Sequence, residues 1–372
     1  MVSGKAKVDV FVIGGGPAGL AAAIAARQRG MSVVVADGTE PPIDKACGEG
    51  LMPETIAALG ELGVAIQPDA GYRFRGIRFL QQDTQVGGEF PQGSGVGIRR
   101  TILHEWLIAR AEECGVRLMW RTPVSAITSA GVQLQGEFFA SRWIVGADGS
   151  GSRVRRWSSL DAAARQSQRY ATRRHYRVRP WSDHVEIYWG RRAQAYVTPI
   201  GREEVCIVTM ATRPDDAFFD SVLQDCPQLA QRLAGAQLAS RERGAITQMH
   251  SLRAVHSGNV ALVGDASGGV DAVTGEGLRL AFRQAVALAD AMERNDLPSY
   301  AHAHRQQARK PALMGDLLLT LARNNRLRTR AIRMLAKRPQ LFARLLSVHA
   351  GRAALGDLLS AGAHLGWRSL TT

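Results

Sequence analysis

The chain has 372 residues, enough for two domains with sizeable hydrophobic cores. Hydrophobic residues make up 45% and charged residues 22% of the sequence, which is typical of a folded globular protein and excludes a disordered one. The net charge of +14 is large, and the basic residues are concentrated near the C-terminus.

The four cysteines show neither a CxxC pair nor the spacing of metal ligands. Such sparse use predicts free thiols in a reducing compartment and no metal site. We expect no signal peptide, because the first apolar stretch runs directly into a glycine-rich turn. No run of about 20 uncharged apolar residues is present, so we predict no membrane-spanning helix. The expected location is cytoplasmic or membrane-peripheral.

A glycine-rich turn follows the first predicted strand. Val8–Ile13 is a β-branched apolar run, typical of a buried parallel strand. The glycines that follow have the Gly-x-Gly-x-x-Gly spacing, which allows a tight turn and brings a pyrophosphate to the positive N-terminus of the next helix. The predicted dinucleotide contacts in this turn are Gly14, Gly16, Pro17, Ala18 and Gly19.

The next elements complete a β-α-β unit. A helix is predicted over residues 21–29 and a strand over residues 32–36, and Asp37 closes that strand. An acid at this position binds the ribose of a dinucleotide and argues against a 2′-phosphate. The unit therefore predicts FAD or NAD.

Two further motifs follow at long intervals. The second is Gly146-Ala147-Asp148-Gly149, and the third is Gly264-Asp265, which continues to Thr274-Gly275-Glu276-Gly277. Each alone is a weak signal. Their fixed order indicates that distant segments of the chain bind one dinucleotide.

Strand-like alternation separates these motifs and predicts the domain organisation. The predicted nucleotide-binding domain is discontinuous and comprises residues 1–72, 98–168 and 250–310. A β-rich substrate domain is predicted to be inserted as residues 73–97 and 169–249. Residues 311–372 are predicted to form a basic helical region that starts at Pro311.

The C-terminal region carries 10 Lys or Arg against 2 Asp or Glu within leucine-rich helical sequence. A basic amphipathic helix favours contact with an anionic membrane surface, and hence a lipophilic substrate. A solvated basic face on a helical appendage explains the pattern equally well. No nucleic-acid-binding motif accompanies the charge, so we predict no nucleic-acid partner.

The ordered motifs resemble those of FAD-dependent oxidoreductases of the p-hydroxybenzoate hydroxylase-like fold. More narrowly, they are similar to the branch that holds geranylgeranyl reductases, flavin-dependent halogenases and related monooxygenases. The resemblance covers residues 8–310. It implies an α/β fold with a Rossmann-type FAD-binding domain, an inserted antiparallel β-sheet substrate domain and a helical C-terminal tail. It also implies FAD as the cofactor and NAD(P)H as a transient reductant.

The resemblance also assigns residues to the cofactor. Asp265 is implied to contact the ribityl–pyrophosphate region, and Arg100 to lie beside the phosphates. A helix N-terminus is implied to face the pyrimidine edge of the flavin, where its amides stabilise negative charge. The other implied contacts are Gly275, Gly277 and Leu278 at that edge, Val124 at the adenine, Asp148 and Gly149 at the second turn, and Lys45 near the isoalloxazine. A surface role for Arg100 and a plain turn role for Asp148 are the simpler alternatives.

Three departures from the hydroxylases and halogenases narrow the resemblance. Gly268 replaces the histidine of the hydroxylases, as in the reductase branch, and Ala272 replaces their proline. Lys45-Ala46-Cys47-Gly48-Glu49-Gly50 resembles the Lys-Pro-Cys-Gly-Gly-Gly loop of the reductases. Tyr196-Val197-Thr198-Pro199 stands where the reductases carry Trp-x-Phe-Pro and the tryptophan halogenases carry Trp-x-Ile-Pro. Neither tryptophan-containing sequence is intact here, which disfavours halogenation and argues against strict geranylgeranyl reduction.

Cys47 and Tyr196 are the candidate catalytic residues. Cys47 is implied to be a proton donor or a flavin contact, or else a small side chain filling a crowded loop. Tyr196 and Thr198 are expected on the substrate side of the flavin, with core packing as the alternative. A lone His175 is expected to be structural, and the arginines of Arg153–Arg179 are expected to be mostly solvated.

The favoured function is an FAD-dependent monooxygenase that hydroxylates a lipophilic, aromatic or polyketide-like molecule with NAD(P)H and O2. A flavin-dependent ene reductase of the geranylgeranyl reductase type is the first alternative. A non-catalytic flavin-binding sensor or electron carrier is the second. Flavin performs the difficult chemistry in the first two, so few protein residues distinguish them.

Overall fold

The computed structural model describes residues 7–67, 69–162 and 167–353. Its helices are α1 (Pro17–Gln28), α2 (Pro53–Glu61), α3 (Arg100–Glu113), α4 (Arg153–Trp157), α5 (Phe219–Asp225), α6 (Pro227–Arg232), α7 (Gly277–Glu293), α8 (Leu297–Arg323), α9 (Asn325–Lys337) and α10 (Pro339–His349). Residues 354–372 of the predicted basic region lie outside the described residues.

The strands from the first half of the chain are β1 (Lys7–Ile13), β2 (Val33–Ala36), β3 (Gly50–Leu51), β4 (Tyr72–Phe74), β5 (Gly76–Gln81), β6 (Thr84–Glu89), β7 (Gly95–Gly97), β8 (Arg117–Met119), β9 (Ala126–Thr128), β10 (Gly131–Gln133) and β11 (Phe138–Gly146). Those from the second half are β12 (Ser167–Arg177), β13 (His184–Trp189), β14 (Ala193–Gly201), β15 (Glu204–Ala211), β16 (Gln237–Leu238), β17 (Arg243–Met249), β18 (His256–Ser257) and β19 (Val260–Leu262).

The first sheet has the order β18-β19-β11-β1-β2-β8 and is parallel from β19 to β8, with β10 and β9 added beside β11. Alternate residues of β1 face opposite layers. Val10 and Val12 pack under α1, α3 and α7, whereas Phe11 and Ile13 pack against residues such as Phe139 from the other face. Burial on both faces explains the continuous β-branched run in the sequence.

The second sheet has the order β16-β12-β15-β14-β13-β5-β6, with β17 beside β12. It is antiparallel apart from the β13–β5 pair. α5 and α6 pack on one face, and α9 and α10 pack on the other. A small antiparallel sheet has the order β3-β7-β4. The predicted α/β fold with an inserted antiparallel sheet is confirmed.

The prediction that the C-terminal helical region starts at Pro311 is wrong, because Pro311 lies inside α8. Proline in a helix interior costs roughly 3 kcal/mol. The helix continues because both of its halves are packed: Tyr300 is fully buried before the proline, and Leu319 is buried after it. Among the described residues, no helix is both long and apolar enough to cross a bilayer.

Candidate active site

The three sequence motifs meet in one cavity of about 760 Å³ that is lined by residues of both large sheets. The predicted cofactor contacts that line it are Gly14, Gly16, Pro17, Ala18, Asp37, Lys45, Arg100, Val124, Asp148, Gly149, Asp265, Gly275, Gly277 and Leu278. Of the predicted cofactor contacts, Gly19 does not line this cavity. The candidate catalytic residues Cys47 and Tyr196 line the same cavity, as does Thr198.

The geometry of the first turn explains its glycines. Gly14 has φ +111°, and a Cβ there would lie 2.4 Å from the carbonyl oxygen of Ala147. A Cβ on Gly19 would lie 1.9 Å from the carbonyl oxygen of Gly14, so Gly19 allows α1 to pack on the turn. Gly16 faces open space, and α1 begins there without a side-chain cap. Its first backbone N–H groups are therefore available to an anion.

Sequence reasoning missed the side chain that braces this turn. His104 of α3 is fully buried, and its Nε2 lies 2.7 Å from the carbonyl oxygen of Gly15. Burial lowers the pKa of His104, which keeps the imidazole neutral. Asp37 holds the same turn from the other side, since its Oδ2 accepts from the Gly15 N–H at 2.7 Å. The predicted ribose-binding carboxylate thus also shapes the turn.

The second motif is a helix cap. Asp148 Oδ2 accepts from the N–H of Arg153 at 2.7 Å and from that of Val154 at 3.2 Å, at the start of α4. Arg155 of this helix is buried, pairs with Asp161 and donates to the carbonyl oxygen of Ala266 at 3.0 Å. The second motif is thereby joined to the third.

The third motif places an acid and a helix start at the cavity. Burial is the largest influence on Asp265 and raises the pKa of its carboxyl, against the opposing effect of Lys45 and Arg100. The Asp265 side chain lines the cavity, and solvent reaches it from there. α7 begins at Gly277 without a side-chain cap, so a second set of free backbone N–H groups faces the cavity.

A buried charged network lies beside the loop that carries Cys47. Glu49 is 3% exposed and has φ +58°, a left-handed conformation that costs a non-glycine residue roughly 1–3 kcal/mol. Its carboxylate accepts from Arg173 Nη1 at 3.1 Å and from the Arg100 N–H at 3.0 Å, and it lies 2.7 Å from His175 Nε2. His175 Nδ1 lies 2.7 Å from the Ser240 hydroxyl. These contacts hold Glu49 in its strained conformation.

The network agrees with a structural role for His175, whose two ring nitrogens both have partners. Most described arginines of Arg153–Arg179 are not buried. Arg155, Arg169 and Arg173 are the buried ones, and each meets a buried acceptor from a distant segment. Glu49, His175 and Cys206 also place their donor atoms within 4.8 Å of one another, as metal ligands do. In this network Arg173 supplies the positive charge, bridging Glu49 and Asp44.

Cys47 lies at the cavity side of the network. Burial raises the pKa of its thiol, with an opposing effect from Arg100, so the thiol is protonated at neutral pH. The Cys206 thiol donates to the Cys47 carbonyl oxygen at 3.5 Å and fixes the loop from behind. Cys47 is thus a weak acid facing the cavity, and a poor nucleophile.

The far end of the cavity is apolar. Side chains of three strands and three C-terminal helices form its wall: Ile77, Phe79, Val185, Ile187, Tyr196, Met314, Leu317, Leu318, Leu321, Leu335, Phe342, Leu345, Leu346 and His349. His349 lies 3.2 Å from Glu276 Oε1 of the third motif, so this wall also borders the start of α7. Burial raises the pKa of Tyr196 well above its usual value, so this phenol stays neutral. The end suits a hydrocarbon.

Two helix starts without side-chain caps, a turn that excludes side chains and an acid at the end of β2 are typical of a dinucleotide-binding site. The chain belongs to the FAD binding domain family, whose pattern matches residues 7–294. The predicted FAD oxidoreductase class is confirmed.

Two curated relatives are reductases. The chain is 29% identical to menaquinone reductase of Mycolicibacterium smegmatis, over 85% of this chain and 86% of the relative. It is 27% identical to digeranylgeranylglycerophospholipid reductase 1 of Methanothermobacter thermautotrophicus, over 73% of each chain. Among solved structures, the flavin-dependent brominase Bmp2 (a triple mutant) superposes with a TM-score of 0.79 at 18% identity, covering 97% of this chain and all of the other. That likeness concerns the fold alone.

Proposed function

We propose that this protein is an FAD-dependent reductase that saturates a carbon–carbon double bond in a lipophilic, isoprenoid-like substrate. The observation that carries the proposal is the division of the cavity. Groups able to supply a proton lie at the end with the glycine motifs, and the opposite end is walled by hydrocarbon side chains. A long apolar chain fits that end, and the names of two curated relatives agree with such a substrate class.

The residues of the glycine-lined end fit FAD. The start of α1 and the open space at Gly16 would hold the pyrophosphate, and Asp37 the adenosine ribose. Asp265 and the start of α7 would hold the ribityl chain and the flavin edge. Bound reduced FAD supplies a hydride to the substrate.

The residues of this chain have to supply the proton that completes the reduction. Cys47 is our candidate donor, since its thiol is protonated and lines the cavity. Two electrons and one proton arrive as the hydride, and the thiol gives the second proton, so the double bond gains two hydrogen atoms. The Glu49–His175–Ser240 chain of hydrogen bonds leads towards the surface and would return a proton to this end of the cavity.

Hydroxylation, favoured by the sequence alone, is the second candidate. Tyr196 supports it, because the Trp-x-Phe-Pro sequence of the reductases is not intact there. As electron source we propose NAD(P)H bound transiently, or an external donor, since the sequence carries one Gly-x-Gly-x-x-Gly motif.

We also propose that the substrate enters from an anionic membrane surface. Trp157, Ile246 and Leu317 line the cavity and are 36%, 53% and 44% exposed, so its mouth is apolar. Exposed Leu313 and Met334 lie among the basic residues of α8 and α9. Binding to anionic but not neutral vesicles, weakened in a Leu313→Ser/Met334→Ser variant, supports this. Equal binding of the variant and the wild type in a vesicle flotation assay would contradict it.

The reaction type is tested with the holoenzyme, a polyprenyl quinone and a polyprenyl glycerolipid. Dithionite without oxygen, and NAD(P)H with oxygen, are compared by product mass. A gain of two hydrogens under both conditions that depends on the enzyme, and that persists after any quinol is reoxidised to the quinone, supports reduction of a double bond. A gain of one oxygen atom, found only with oxygen, would establish hydroxylation instead. If neither product forms, the electron-carrier alternative is favoured.

A further inference from the structure

A second cavity of about 60 Å³ lies behind the wall of the large one. It is formed where α8 and α9 meet the second sheet, and Met210 lines both cavities. Four arginines line it: Arg169 from β12, Arg192 before β14, Arg323 at the end of α8 and Arg328 in α9. The sequence motifs do not include these residues.

Several donors at this cavity lack partners. Arg169, Gln194 and Arg328 are 3%, 3% and 2% exposed. Within the described chain, no hydrogen-bond acceptor meets Arg169 Nε and Nη1, Gln194 Nε2 or Arg328 Nε. A buried donor without an acceptor costs about 1–3 kcal/mol, and more when it is charged. Four such atoms around one cavity therefore indicate an acceptor inside it.

The charges point the same way. Arg192 pairs with Asp216 at 3.3 Å, and Arg169 Nη1 lies 4.0 Å from Asp271 Oδ2. Arg323 and Arg328 form no ion pair with any described residue. Arg328 instead donates to the carbonyl oxygens of Gly190, Leu321 and Ala322 and to Asn325 Oδ1, and burial lowers the pKa of its guanidinium. Its partners are thus neutral, although buried charges are normally paired with an opposite charge. The exposed Arg323 adds a second cation at the rim of the same cavity.

We propose that this cavity binds a phosphate-type oxyanion. A water needs roughly 10–15 Å³ of such space, so the cavity has room for about four to six atoms of that size. A tetrahedral oxyanion has that size and offers acceptors in several directions to guanidinium groups. Because Arg328 also binds the β13–β14 turn at Gly190, the anion stabilises the packing of α9 on the sheet. The site is independent of the proposed reaction.

The test measures the thermal unfolding midpoint of the holoenzyme in inorganic phosphate, with potassium chloride of equal ionic strength as reference. We expect a saturable rise of about 2–4 °C with phosphate alone. A separate arm uses vesicles of phosphatidic acid against phosphatidylcholine, because a lipid head group carries the same chemistry. A response to phosphate identifies a free anion, and a response to phosphatidic acid alone identifies the head group.

Two variants locate the response. Arg323→Met removes an exposed cation at the rim of the cavity. We expect the phosphate concentration that gives half of the response to rise about tenfold, as for the loss of one charge-assisted hydrogen bond. Arg330→Met makes the same change at an exposed position of α9 outside the cavity and should leave the response intact. Gln194→Leu tests the buried donor without altering charge. No response in either arm, or equal responses in the Arg323 and Arg330 variants, would overturn the proposal.

Discussion

The two ends of the large cavity are built from different materials. At the glycine-lined end, backbone groups, helix starts and paired charges form the wall, and a Cβ added to Gly14 or Gly19 would collide with neighbouring backbone. At the other end, leucine, isoleucine and phenylalanine side chains of the second sheet and the C-terminal helices form it.

This difference separates what the two ends determine. Backbone geometry leaves little freedom, so the first end fixes the cofactor. Side-chain volume can change one residue at a time, so the second end sets which hydrocarbon fits. Changes at the first end should therefore abolish cofactor binding, and changes at the second should alter substrate preference with FAD retained.

The largest effect on cofactor binding is expected for Gly16→Val. The added side chain meets no protein atom near Cβ but extends into the space proposed for the pyrophosphate. We expect flavin affinity to fall about 10- to 100-fold, as overpacking costs about 1–3 kcal/mol. Flavin absorbance after gel filtration measures it. Gly60→Val, at an exposed helix position with open space, is the control. Full flavin retention by the Gly16 variant would contradict the cofactor assignment.

Cys47→Ala tests the proposed proton donor of the cavity. We expect turnover to fall about 100-fold, as for loss of a general acid, with FAD retained. Because the pKa of the thiol is raised above its usual 9.0, wild-type turnover should decline only above that pH, and the decline should be absent in the variant. Pre-steady-state rates against pH measure this. Cys114→Ala is the matched control, and equal turnover in both variants would exclude Cys47 as the donor.

Leu318→Trp probes the hydrocarbon end. Leu318 lines the cavity, so the larger ring shortens the available space. We expect kcat/KM to fall about tenfold for a long polyprenyl substrate, from overpacking of about 1–3 kcal/mol, and to change little for a short analogue. Leu327→Trp places the same ring on an exposed position outside the cavity. Equal losses of kcat/KM for long and short substrates would show that the C-terminal helices do not limit the length of the substrate.

His304 connects α8 to the third motif, and its burial makes the stability of the fold depend on pH. It lies on α8, 2.9 Å from the Ser267 hydroxyl of the third motif, and burial lowers its pKa to about 4. The unfolded chain, with an ordinary pKa near 6.5, therefore binds more protons between those values, and stability falls as pH drops through that window. The loss should reach at most about 3 kcal/mol. Urea unfolding at pH 7 and pH 4.5 measures it. His304→Gln should flatten the dependence, whereas the exposed His302→Gln should not.

The sequence predicted the parts of the site that depend on local backbone. The turn of Gly14, Gly16 and Gly19, the acid at Asp37 and the start of α7 each lie within a few residues of their own motif, so spacing alone reveals them. The fold class followed from the order of these motifs. Their roles in binding remain predictions.

The buried network escaped prediction for a physical reason. Glu49 and His175 are 126 positions apart, and their meeting depends on the register of β12 against β15 and on a loop beyond the first sheet. No periodicity encodes such a pairing. A glutamate where the resembling reductase loop has glycine was the available signal, because a left-handed glutamate requires partners.

The path of α8 has a consequence for how such enzymes diversify. Its first half carries Tyr300 and His304 against the cofactor-binding domain, and its second half carries Leu317 and Leu318 along the hydrocarbon wall. Asn324 then ends the helix and caps α9. A graft of a relative's sequence after this asparagine would exchange α9 and α10, and with them five of the fourteen wall residues, without altering a glycine motif. Substrate range can thus be changed by exchanging one contiguous segment of the chain.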